Sequence, residues 1–79
     1  MTKSSIIQIA EYAITLQSMR QDILHIQDQE QKIFDEIPET YENSVIREIM
    51  LEDIDSLNDV FEGIDAALDS LRAILHNNK

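Results

Sequence analysis

Ile33-Phe34-Asp35-Glu36-Ile37-Pro38-Glu39-Thr40-Tyr41-Glu42-Asn43-Ser44 carries the only proline of a 79-residue chain and lies near its middle. Proline has no amide hydrogen and its ring clashes with the preceding helical turn, so a helix arriving from the N-terminal side should end near Ile37. Asn43 or Ser44 then offers a side-chain oxygen to cap a second helix. The intervening 38–43 has an ordinary length for a connection between antiparallel helices. The stretch reads as the bend of a hairpin.

Working outward, Ser5 and Gln8 have the Ser-x-x-Gln spacing of a capping box, which places the start of helix 1 near residue 5 and its span at about 5–37. Apolar residues recur at Ile9, Tyr12, Leu16, Met19, Ile23, Ile26, Ile33 and Ile37, the three-four alternation of heptad positions a and d. Ile6, Ala13 and Phe34 widen this stripe on one flank. Helix 2, about 44–76, repeats the pattern with Ile46, Met50, Ile54, Leu57, Val60, Phe61, Ile64, Ala67, Leu68, Leu71, Ile74 and Leu75. Gly63 sits at the edge of that stripe and is expected to mark a close helix approach or a slight kink. Arg72, His76 and Lys79 gather where the helix dipole favours cations. Each helix would be roughly 45 Å long.

Composition agrees. One glycine, one proline and no cysteine leave no disulfide or thiolate–zinc staple, so stability has to come from helix packing or self-association. A single all-α hairpin domain over 1–79 would leave half of each broad stripe in water, which predicts a homodimer closing into a four-helix bundle with coiled-coil character. Sixteen acidic against six basic side chains give a net charge of −10, which argues against direct binding of nucleic acid or anionic membranes. The N-terminal residues have neither the apolar core of a signal peptide nor the length of a span, and a cytoplasmic protein is expected.

Several polar positions could carry chemistry. Glu30 interrupts the apolar stripe and, in a hairpin folded about residue 40 or 41, falls near Arg47, Met50 and Asp53. Glu30, Arg47 and Asp53 are therefore expected to set register, as a lone polar core residue does. A Glu30–Asp53 carboxylate pair holding a divalent cation is the sharper alternative. Asp22-x-x-His25 has the acid-x-x-His spacing of di-metal bundles, but both residues lie off the seam. Asp53-x-Asp55 lacks the ligand and glycine that a calcium loop needs further on. The pairs Glu39/Glu42 and Glu52/Asp55 have the spacing of magnesium-binding helices without accompanying phosphate-binding cations. With no cysteine, no glycine-rich phosphate loop and no serine–histidine–carboxylate set, no catalytic residue, metal site or cofactor is assigned.

Two surfaces remain. Ile7, Ala10, Ile14 and Leu24 depart from the main stripe of helix 1 and are the candidate contact with another protein. Glu48, Glu52, Asp55, Asp59, Glu62 and Asp69 recur on the side of helix 2 opposite its apolar stripe. Their axial spacing of roughly 5 Å approximates that of strand phosphates.

The run Asp28-Gln29-Glu30-Gln31-Lys32-Ile33-Phe34-Asp35-Glu36-Ile37-Pro38-Glu39, followed by Met50 and Asp53-Ile54-Asp55-Ser56-Leu57, resembles a group of short, acidic, uncharacterised proteins of bacteria and phages. They share an Asp-x-Glu-Gln-x-x-Phe-Asp-x-x-Pro-Glu pattern at the bend. The resemblance implies a helical hairpin and, since that group has no known activity, no site.

The expectation is a non-enzymatic, self-associating helical protein that works by protein–protein binding, as an adaptor, a small chaperone or a phage-type modulator of a host protein. The alternatives are an acidic nucleic-acid mimic that inhibits a nucleic-acid-binding protein, and a metal-dependent carboxylate enzyme.

Overall fold

The computed structural model describes residues 1–37 and 45–79, and the expected bend at 38–43, with Pro38 and the caps Asn43 and Ser44, lies outside them. Two helices of equal length, α1 (Lys3–Asp35) and α2 (Val45–Asn77), pack against each other along a rod 59 Å long and 14 Å across. The all-helical hairpin is as expected. Helix α1 starts two residues ahead of the expected capping box because Thr2 is the cap. Its Oγ1 accepts from the Ser5 amide at 3.2 Å, and its carbonyl takes the first helical bond from Ile6. At the other end the Glu36 amide closes the last turn on the Lys32 and Ile33 carbonyls.

The core is thin. Among the described residues the buried side chains are Phe34, Ile54, Ile64 and Leu68, and Leu68 alone is sealed, at 1% exposure. On α2 the seam follows Arg47-Ile54-Phe61-Leu68-Leu75 and Met50-Leu57-Ile64-Leu71, while Ile46, Val60 and Ala67 of the expected stripe are exposed.

On α1 the seam is turned away from the expected a and d stripe. The half-buried positions include Ile9, Leu16, Ile23 and Glu30, then Ile6, Ala13, Arg20 and Gln27, continued by buried Phe34, and also Ala10, Gln17 and Leu24. Tyr12, Met19, Ile26 and Ile33, the whole d column, stand exposed. Arg20 lies on this turned seam, where its guanidinium bonds Asp65 at 2.8 Å and stacks 4.6 Å from the Phe61 ring.

Gly63 does not mark a close approach. A Cβ added there meets nothing within 4 Å, and the residue is exposed in the middle of α2. Gly63→Ala should therefore stabilise the chain by about 0.5–1 kcal/mol. Thermal unfolding should show this as a rise of roughly 4–8 °C per kcal/mol. A lower melting temperature would mean that the glycine is needed.

Candidate interaction surfaces

The two sides of the hairpin differ in what they expose. On one side Ile26 and Glu30 of α1 share an open groove with Asp53, Ser56, Leu57 and Val60 of α2. Seven-residue spacing lines up Tyr12, Met19, Ile26 and Ile33 along the α1 edge of this groove, and Ile46, Asp53, Val60, Ala67 and Ile74 along its α2 edge. Ile46 is 69% exposed and Tyr12 59%. The next column of α2 outward is Ile49, Ser56, Gly63 and Ser70, all uncharged. Glu30 and Asp53 are thus the charged lining of an otherwise apolar groove.

The opposite side carries a second groove, formed by Ala10, Ala13, Ile14 and Gln17 with Arg72 and Leu75. Arg72 crosses it and donates to the Gln17 Oε1 at 2.7 Å. Of the four residues expected to face away from the seam, Ile7 and Ile14 do so, Ile14 being 72% exposed. Ala10 and Leu24 are half-buried instead. The turn of the seam that exposes Tyr12 and Met19 brings Ala10 to the α2 side, where it lines the groove with Leu75.

Of the three residues expected to set register, Glu30 and Asp53 come together and Arg47 is placed against Phe34. Glu30 and Asp53 line the same groove, while the Arg47 guanidinium lies 4.2 Å from the centroid of the Phe34 ring, a cation–π stack against a buried aromatic. Sequence reasoning missed Arg20 and its partners. The signal available was register: a fold about residue 40 or 41 sets Arg20 opposite Phe61, one turn from Asp65. Both members of the Arg20–Asp65 pair are partly exposed, so it contributes little stability, about 1 kcal/mol at most. It sits on the face of α1 that meets α2.

Glu48, Glu52, Asp55, Asp59, Glu62 and Asp69 are all exposed on the outer side of α2, away from the Leu57 and Val60 groove. Asp22 is exposed, and the His25 ring, also exposed, bonds the Gln29 amide at 3.1 Å. Among the described residues no three histidine or acidic side chains converge as metal ligands, and no helix is long and apolar enough to cross a membrane.

Comparison with known proteins gives no match: no family model fits the chain, and no curated protein or solved structure is significantly similar to it.

Proposed function

We propose that this is a non-enzymatic, self-associating helical protein that acts by binding another protein. The observation that carries the proposal is surplus surface. The chain exposes 5967 Å², about 1,000 Å² more than the ~4,900 Å² of a compact fold of 9.1 kDa. That surplus is comparable to the ~800 Å² that each partner buries in a standard protein interface. Much of it is large and apolar, in Tyr12, Met19, Ile33, Ile46 and Val60 on one side and in Ile7 and Ile14 on the other. Ordinary monomers rarely leave such contiguous patches open.

Self-association takes one side and leaves Ile7 and Ile14 for a different protein. Sedimentation equilibrium at micromolar concentration should give twice the 9.1 kDa chain mass. A compact monomer would overturn self-association. An Ile7→Glu, Ile14→Glu double variant should keep the mass of the wild type and lose partners that the wild type captures from a cell lysate. Identical partner lists would remove the second half of the proposal.

A second reading, as an acidic nucleic-acid mimic, is favoured by the exposure of the Glu48-Asp55-Glu62-Asp69 column at seven-residue spacing. Under it, binding to a basic protein surface would weaken steeply with salt.

A further inference from the structure

We infer that the groove face between Tyr12, Met19, Ile26 and Ile33 of α1 and Ile46 and Val60 of α2 is the interface with a second copy, packed with the two bends at opposite ends. This rests on the self-association proposed above and specifies its face, axis and register.

Three observations point to a second copy of this chain as the occupant. The first is area, since the surplus surface per chain matches what one partner contributes to a standard interface. The second is charge. A chain at −10 repels its own kind, and of its sixteen carboxylates this groove is lined by Glu30 and Asp53. The acidic column Glu48-Asp55-Glu62-Asp69 lies on the other side of α2, so two copies meeting groove to groove carry their charge outward. A basic partner would be drawn to that column rather than to this face, and interface cores are depleted in charge.

The third observation is that about one level both edges of the groove set apolar or small residues against each other, Asp53 excepted. Ile26 and Glu30 lie across from Leu57 and Asp53, so the point midway between Met19 and Ile26 on α1 is level with Val60 and Phe61 on α2. A two-fold axis at that level, running across the rod, stacks α1 on α1 and α2 on α2, each antiparallel. Met19 then meets the partner's Ile26, and Tyr12 meets the partner's Ile33. On the other edge Val60 meets the partner's Val60, Ile46 meets the partner's Ile74, and Asp53 falls opposite the small side chain of the partner's Ala67. An interface on a two-fold axis must be self-complementary in this sense.

The competing arrangement has its axis along the rod. It would gather Glu30 and Asp53 of both chains at one level, four carboxylates facing each other across an apolar interface. Desolvated like charges oppose that packing, and the crosswise axis separates them.

Because the chain has no cysteine, single substitutions report the geometry directly. Val60→Cys, treated with a mild oxidant at micromolar concentration, should convert almost wholly to a disulfide-linked dimer. Tyr12→Cys and Ile33→Cys should each stay unlinked alone and link to one another when mixed, since a disulfide needs Cα atoms within about 7 Å. Far-UV circular dichroism on each reduced variant confirms that the helices are retained. Ile26→Glu should weaken dimerisation by roughly a hundredfold or more, because a two-fold interface carries the charge twice. Ile14→Glu, on the other side, should leave it unchanged. If Val60→Cys fails to link while sedimentation still gives a dimer, the face or the axis is wrong and self-association stands. A monomer in sedimentation overturns both, and leaves the groove to a different protein.

Discussion

Leu68→Ala is expected to cost about 2–5 kcal/mol, the range for deleting a buried leucine when the surroundings relax only in part. For a chain of this size the whole folding free energy is typically about 4–12 kcal/mol, so the variant should sit at the edge of unfolding at room temperature. The size of the effect follows from position. Leu68 is the one sealed side chain among the described residues, and the buried residue next to it along α2, Ile64, is on its own helix. A two-helix seam has no third layer to collapse into the hole. Urea titration should show the midpoint fall with little change in slope. Ile14→Ala, at a position 72% exposed, should stay within about 0.5 kcal/mol of wild type in the same experiment. Equal costs for the two would mean that the hairpin does not pack as described.

Phe34→Ala should be comparably severe, at about 3–5 kcal/mol. Phe34 is the buried residue of α1, and it lies one residue before the helix ends at Asp35. Its ring closes the bend end of the seam and is itself covered by the Arg47 guanidinium at 4.2 Å. The two contributions separate by substitution. Phe34→Leu keeps much of the apolar volume and removes the ring face. Arg47→Met keeps a long apolar stem and removes the charge, at an expected cost of about 0.5–1 kcal/mol for the lost cation–π contact. In the Phe34→Leu background the cost of Arg47→Met should fall by about that amount. An undiminished cost there would assign the role of Arg47 to contacts other than the ring.

The hairpin was readable from residues alone for a simple reason: apolar side chains recurring at three and four residues have one regular solution, and a single proline divides them. The helix start was read two residues late because Ser5-x-x-Gln8 and Thr2-x-x-Ser5 both satisfy the cap spacing, and which amide is left over depends on where the first turn closes. The rotation of α1 was beyond reach for a deeper reason. A stripe wide enough for a four-helix bundle has two usable halves, and periodicity does not say which half meets the hairpin partner and which is left outside. Arg20 belongs to the half that meets α2, and its partners Asp65 and Phe61 are distant in the chain. The interaction surfaces inherit this division. Ile7 and Ile14 could be found from sequence because they leave the stripe altogether. Tyr12, Met19, Ile26 and Ile33 could not, since they lie within it and their exposure is a fact of tertiary packing.

The Arg20 contacts also bear on how the chain finds its fold. Heptad repeats are translationally degenerate: one helix can slide past another by seven residues and again set leucine against isoleucine, so an apolar hairpin has several nearly equivalent alignments. Slippage by seven in one direction would give Arg20 Asn58 and Ile54 in place of Asp65 and Phe61. In the other it would bring Arg72 against Arg20, two cations in one position. The polar contacts on the seam therefore do little to deepen the native minimum and much to raise its neighbours.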